Sequence, residues 1–94
     1  MSGYARLATF ETSETALDGV INQIRETGPL EGLPARTIIA LADRSSGKAV
    51  FIVRFESEED LRKGNEMLDA WDPPQGMRRV SVDSLVVLLE HHVR

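Results

Sequence analysis

The 94-residue chain lacks several residue types that would point directly to a function. It has no cysteine, which excludes disulfide bonds, thiolate metal sites and a cysteine nucleophile. Only 5% of its residues are aromatic, and 11 basic against 15 acidic residues give a net charge of −4. Nucleic acids and anionic membranes both attract basic surfaces, so we expect neither as a partner.

Long apolar runs are also missing. No run approaches the length of a membrane span, and the first nine residues are too few and too polar for a signal peptide, so we expect a cytoplasmic protein. An apolar share of 41% is typical of a globular domain. Because the chain has no room for a second core, we expect residues 1–94 to form a single domain.

The most informative stretch is Ala35–Glu56. In it, two apolar, β-branched runs flank the turn Asp43–Lys48, a pattern that predicts a β-hairpin. Apolar residues occupy successive positions, so both faces of the hairpin are apolar. A hairpin with one wet face would alternate apolar and polar residues. This hairpin therefore has to be covered on both sides.

Two segments have the periodicity of amphipathic helices. The first follows a cap at Thr12 or Ser13 and ends at Gly28. The second follows a cap at Ser57 and ends at Asp72 before two prolines. Their inward stripes are Leu17, Val20, Ile21 and Ile24, then Leu61, Gly64, Leu68 and Trp71.

Gly64 stands in the middle of the second predicted helix, where glycine costs about 1 kcal/mol relative to alanine. Three explanations stay open: a close approach of the helix to the sheet, room for a ligand, or a glycine tolerated without purpose.

The apolar pattern predicts a first strand at Tyr4–Phe10 and a last strand at Arg79–Glu90. In the last strand, a bulge or bend is expected at Asp83-Ser84. The order strand, helix, strand, strand, helix, strand predicts an α+β fold of the ferredoxin-like βαββαβ type. Its antiparallel sheet carries two helices on one face, so the other face would expose a large apolar patch. A second copy packed sheet against sheet is the simplest cover, and we expect a homodimer.

Strand alternation assigns side chains to the two faces of the sheet. The dimer face is expected to carry Tyr4, Arg6, Phe10, Val50, Ile52 and Arg54. For the two arginines, an ion pair between subunits is favoured over a ligand anchor.

The space between sheet and helices is expected to be lined by Leu7, Thr9, Phe51, Phe55, Asn65 and Trp71. Two interpretations of this space stay open. Side chains fill it as an ordinary core, or it is an apolar pocket suited to a flat hydrophobic ligand, with the Trp71 N–H and the Thr9 hydroxyl as polar groups.

The segments YARLATFETS and ALADRSSGKAVFIVRFESEEDLR and the closing apolar strand resemble the dimeric α+β barrel superfamily. Within it, the chain is most similar to antibiotic-biosynthesis-monooxygenase-like (ABM) domains. The family's passage Trp-Glu-Ser-x-Glu-x-Leu corresponds here to residues Phe55 to Leu61. The resemblance implies a dimer whose sheets meet face to face and a pocket in each protomer between sheet and helices.

Haem-degrading members of this family use an Asn on the first strand, a Trp ending the third and a His on the second helix. The matching positions hold Ala5, Phe55 and the neighbourhood of Asn65. Because none of these supplies the required group, we disfavour haem degradation and expect no cofactor. The catalytic residues stay unassigned.

We expect a small dimeric protein that binds a small hydrophobic or aromatic ligand. The alternative implied by the resemblance is a cofactor-independent monooxygenase of an aromatic or polyketide-like compound.

An RNA-recognition module is excluded, because Val50 and Ile52 stand where base-stacking aromatics are needed. An amino-acid-sensing regulatory module of similar topology stays open. We expect no metal site, since the adjacent His91 and His92 would point opposite ways on a strand.

Overall fold

The computed structural model describes residues 3–93. Its strands and helices, in chain order, are β1 (Gly3–Thr12), α1 (Glu14–Thr27), β2 (Thr37–Asp43), β3 (Lys48–Phe55), α2 (Glu58–Asp69) and β4 (Met77–Val87). This is the order of elements that the sequence predicts. The first strand is longer than predicted at both ends, and the last begins and ends earlier.

Both helices begin at a serine cap. Ser13 Oγ accepts a hydrogen bond from the Ala16 N–H, and Ser57 Oγ accepts one from the Asp60 N–H, each at 3.1 Å. These oxygens satisfy backbone donors that a helix leaves open in its first turn. Gly28 ends α1 with a φ of +80°, which glycine adopts without strain. Neither helix within residues 3–93 combines the length and the apolar character that crossing a lipid bilayer requires.

The four strands form one antiparallel sheet in the order β2-β3-β1-β4. An α+β arrangement of this sheet with two helices is compatible with a ferredoxin-like fold. The irregularity in β4 is not at Asp83-Ser84 as predicted. It lies near the start of the strand, where Thr9 pairs with Ser81 but Phe10 pairs with Arg79. The extra residue is a bulge that shifts the alternation of β4.

Both helices pack on the same face of the sheet, which we call the helix face, and we call the opposite one the outer face. On β3 the predicted alternation is confirmed. Ala49, Val53 and Phe55 belong to the clusters packed against the helices. Val50 and Ile52 therefore point to the outer face.

On β1 the predicted grouping of side chains is confirmed, but the faces assigned to the two groups are reversed. Tyr4 pairs with Phe55 and Arg6 pairs with Val53, and paired residues share a face, so both lie on the helix face. Phe10 also lies there, buried among α1 residues. It follows that Tyr4, Arg6 and Phe10 are not on the outer face.

Polar groups on α2 explain how the helix face accommodates a charge. Arg6 is only 2% exposed, yet its Nη1 donates to Asn65 Oδ1 at 3.1 Å and lies 2.9 Å from Asp69 Oδ1. A buried guanidinium is tolerated where a carboxylate and a hydrogen-bond acceptor meet it. The sequence pattern of β1 alone does not reveal these partners, because they are about 60 residues away in sequence and become neighbours only when the helix docks.

The core consists of two clusters of buried residues. One contains Ala8, Phe10, Leu17, Val20, Ala49 and Met77, and the other contains Val53, Phe55 and Leu61. Gly64 lies at the second cluster, where a Cβ atom would overlap the Phe55 ring. A close approach of helix to sheet therefore explains this mid-helix glycine.

The register arranges the outer face in rows that run across the sheet. Two middle rows are Ile39-Ile52-Leu7-Asp83 and Leu41-Val50-Thr9-Ser81. The row beside the hairpin turn is Asp43-Lys48-Glu11-Arg78. Ile39 and Leu41 are 45% and 51% exposed, so no element within residues 3–93 covers the apolar part of this face. The hairpin is apolar on both sides, as predicted. Within residues 3–93, the helices cover the helix face of β3, whereas β2 is exposed on both sides apart from the half-buried Ile38.

Candidate ligand cavity

A cavity of about 180 Å³ lies between the helix face of the sheet, α1 and the segment that connects α1 to β2. Strands β1 and β3 form one wall, with Ala8 at the centre beside Phe51. Val20 and Ile24 of α1 and Leu30 of the connector line the opposite side. The small Ala8 side chain on a central strand leaves the space that larger neighbours would fill.

Solvent reaches the cavity along α1 and the connector. Gln23, Thr27, Pro29 and Leu30 line it and are themselves exposed. The deeper lining residues Ala8, Phe10 and Val53 are buried. The site is therefore a cleft with an apolar interior and a mouth bordered by the end of α1, a common form for small-molecule sites.

Three aromatic side chains line the interior. The ring of Phe10 lies edge-to-face against Phe51, with centroids 5.6 Å apart, and edge-to-face against Trp71, with centroids 6.4 Å apart. Edge-to-face packing is a favoured geometry for aromatic pairs and holds the rings in fixed orientations. A flat apolar molecule would meet a pre-formed surface here.

Two guanidinium groups also line the cavity, and both lie against the end of α2. Arg6 reaches it from β1 and is paired with Asp69, as described above. Arg79 reaches it from β4, and its Nη2 donates to the backbone oxygens of Leu68 at 3.1 Å and Trp71 at 2.9 Å. These carbonyl groups belong to the C-terminal end of the helix, where cations interact favourably with the helix dipole.

The chemistry of the lining limits what the site can do. Among the described residues that line it, polar groups are carried by the side chains of Arg6, Gln23, Thr27 and Arg79 and by the Trp71 indole N–H. None of them is a carboxylate, an imidazole or a thiol, the groups that usually accept protons or ligate transition metals. The lining is therefore suited to bind and orient a ligand.

Of the residues predicted to line the pocket, the structure brings only Phe51 and Trp71 to the cavity. Leu7 and Thr9 lie on the outer face, on the side of β1 opposite Arg6. Phe55 is completely buried in the core under Gly64, outside the cavity lining.

Asn65 is also outside the lining, because its side chain holds structural groups. Its Oδ1 accepts from Arg6, and its Nδ2 donates to Ser84 Oγ at 3.0 Å. Asn65 and Trp71 therefore do not converge on one site.

The residues predicted for the dimer face divide into two groups. Val50, Ile52 and Arg54 lie on the outer face, and Tyr4, Arg6 and Phe10 lie on the helix face. Arg6 and Arg54 thus point to opposite sides of the sheet. Arg54 pairs with Glu90 within the same chain.

Sequence reasoning missed Arg79 and Ala8. The bulge at the start of β4 sets which face Arg79 occupies, and no feature of the sequence marked a bulge there. Ala8 was assigned to the wrong face with the rest of β1. One signal could have found it, because Ala8 shares its side of β1 with the much larger Tyr4, Arg6 and Phe10, and a small side chain among large ones indicates space above it.

Comparison with known proteins adds no relative. No protein-family model matches the chain, and no curated protein matches it. The geometry of the cavity is therefore the basis for interpreting function.

Proposed function

We propose that this protein binds a small hydrophobic or aromatic molecule in the cavity between its sheet and helices. The observation that carries the proposal is the open, aromatic-lined space of about 180 Å³. An apolar cavity of about 150 Å³ in another protein accepts benzene, so a ligand of one ring or two fused rings is of suitable size. The filled-core interpretation of this space is correspondingly less favoured.

We also propose that two copies pack through their outer faces to form a dimeric α+β barrel like that of ABM domains. The hairpin strands β2 and β3 have seven and eight residues. Over that length, four strands about 4.8 Å apart give each face an area of about 500 Å², so two copies would bury about 1,000 Å² in total. This meets the lower bound of about 1,000 Å² for specific interfaces. The middle rows are apolar over β2 and β3 and end on β4 in Asp83 and Ser81, and a row of alternating charges lies beside them. An apolar centre with polar and charged residues at its edge has the character of an interface core and rim.

Two variants of the helix face test ligand binding. Ala8→Leu places a larger side chain in the cavity, whereas Ala40→Leu makes the same change in the same cross-strand row outside the lining. With 2-naphthamide as a neutral probe, titration calorimetry should show binding by the wild type and Ala40→Leu. Ala8→Leu should bind at least about tenfold more weakly, because the space is taken. Equal binding by the two variants would place the probe elsewhere.

Native mass spectrometry of protein purified without added ligand tests the natural occupant. We expect two chains plus a small organic adduct, whose mass would begin to identify the ligand. A mass of two chains without an adduct would show that the purified protein carries no ligand. That result would favour a cavity that is empty or a space that side chains fill.

Cofactor-independent oxygenation is the less favoured function, because no described residue of the lining is a carboxylate or histidine that could deprotonate a phenolic substrate. Dioxygen uptake with 1,4-dihydroxynaphthalene above the uncatalysed rate, lost in Ala8→Leu and kept in Ala40→Leu, would reverse this preference.

A further inference from the structure

We propose that the cavity selects ligands that carry a carboxylate or a similar single negative charge, and that Arg79 is the side chain that recognises this group. The inference rests on the proposed ligand-binding function and names the class of ligand that the site takes.

The charge balance of the cavity is the first argument. Arg6 is compensated by Asp69 at 2.9 Å. Arg79, in contrast, has no carboxylate within ion-pair distance among residues 3–93. It contacts backbone carbonyl groups and the face of Phe10, with the guanidinium carbon 5.7 Å from the ring centroid. The positive charge of Arg79 is therefore balanced only by the carbonyl dipoles and the Phe10 ring that it contacts.

The donors of Arg79 are the second argument. A guanidinium has five N–H groups, and both hydrogen bonds that the structure shows for this side chain come from Nη2. The Nε atom is buried without an acceptor among the described residues. Because that atom is out of reach of a molecule in the cavity, the donors open to a carboxylate are those of Nη1, which makes no hydrogen bond within residues 3–93. A carboxylate oxygen there would form a charge-assisted hydrogen bond and compensate the charge.

The side chain is also held in place before a ligand arrives. Two carbonyl groups at the end of α2 and the Phe10 ring fix the guanidinium on three sides. A fixed donor loses little conformational entropy when it binds, which favours affinity. Phe10 and Trp71 lie beside it, so an aromatic acid could place its ring among them and its carboxylate on Arg79.

A purely structural role is the competing explanation. Arg79 would then serve only to satisfy the last carbonyl groups of α2. That role uses Nη2 alone and predicts no preference between charged and neutral ligands, so the two explanations give different binding data.

The experiment compares three naphthalene derivatives of one shape at pH 7 by titration calorimetry. They are 2-naphthoate, neutral 2-naphthamide and the cation of 2-naphthylmethylamine. We expect 2-naphthoate to bind about tenfold to a hundredfold more tightly than 2-naphthamide, the range for a charge-assisted hydrogen bond. We expect the cation to bind more weakly than 2-naphthamide. This comparison needs only the wild-type protein.

Variants then assign the preference to one side chain. Arg79→Gln should make 2-naphthoate and 2-naphthamide bind equally. The matched control is Arg44→Gln, which removes a guanidinium in the hairpin turn that contacts Glu14 and Asp18 outside the cavity. It should keep the wild-type preference.

Each outcome has a distinct meaning. If 2-naphthamide binds and 2-naphthoate is no tighter, the anion inference is overturned while the proposed function stands. A preference that persists in Arg79→Gln also overturns the assignment to Arg79. If neither compound binds the wild type, the proposed function itself fails.

Discussion

Gly64 and Phe55 form the contact through which α2 sits on the sheet. The Phe55 ring is completely buried, and it occupies the space where a Cβ at position 64 would stand. Gly19, in the middle of α1, has nothing within 4 Å of the corresponding position. The chain thus offers two helical glycines with opposite surroundings.

We expect Gly64→Ala to lower the free energy of unfolding by about 1–3 kcal/mol, because the added methyl group overpacks the core. Gly19→Ala, the matched control, should raise it by up to about 1 kcal/mol, because only helix propensity changes. Urea unfolding followed by circular dichroism measures both. Equal effects of the two substitutions would contradict the close packing of α2 on Phe55.

The helices and strands were largely predictable from the sequence. Which side of β1 points to the helices was not. Hairpin, helices and caps follow from local patterns, since apolar periodicity and turn residues act over a few positions. The orientation of β1 depends on Asn65 and Asp69, which neutralise Arg6 from a distant helix. The space between sheet and helices was predicted in its general place, with a filled core and a pocket both left open as its interpretation. Arg79 was not, because a bulge decides its direction.

The hairpin turn between β2 and β3 contains a titratable group that supports it. Asp43 Oδ1 accepts hydrogen bonds from the Ser45 hydroxyl at 2.7 Å and the Ser45 N–H at 3.1 Å. The hydroxyl of Ser45, followed by that of Ser46, lowers the pKa of Asp43 below its ordinary value. A carboxylate that accepts these bonds is favoured in its ionised form.

This lowered pKa predicts a pH dependence of stability. The folded state holds the Asp43 proton more weakly than the unfolded state does, so ionised Asp43 contributes to the free energy of unfolding. This contribution is complete above the ordinary pKa of about 4, and it is lost as the pH falls through the lowered pKa of the folded state. The stability difference between wild type and Asp43→Asn should therefore be larger at pH 7 than at pH 3. An NMR titration of Asp43 gives the pKa directly, and Ser45→Ala should raise it. An unshifted wild-type pKa would contradict the turn geometry.

At the level of the assembly, the outer face of the hairpin is an exposed apolar surface. Ile52 stands in a middle row, between Ile39 and Leu7. A carboxylate there would have to be desolvated in a sheet-to-sheet interface, at a cost that the surrounding apolar residues cannot offset.

We expect Ile52→Asp to yield monomer or aggregate in light scattering coupled to gel filtration. Thr15→Asp, on the exposed surface of α1, adds the same charge away from this face and should leave the proposed dimer intact. A soluble Ile52→Asp dimer of unchanged mass would show that copies associate through another surface.

Trp71 is the only tryptophan of the chain, and it stands beside the cavity against Phe10. The intrinsic fluorescence of the protein is therefore a local optical reporter of this cleft and the end of α2. An occupant that touches the indole would change its emission without any label. For the same reason, a thermal melt followed by tryptophan emission would record the opening of this region, whereas far-ultraviolet circular dichroism would record the loss of the helices and the sheet.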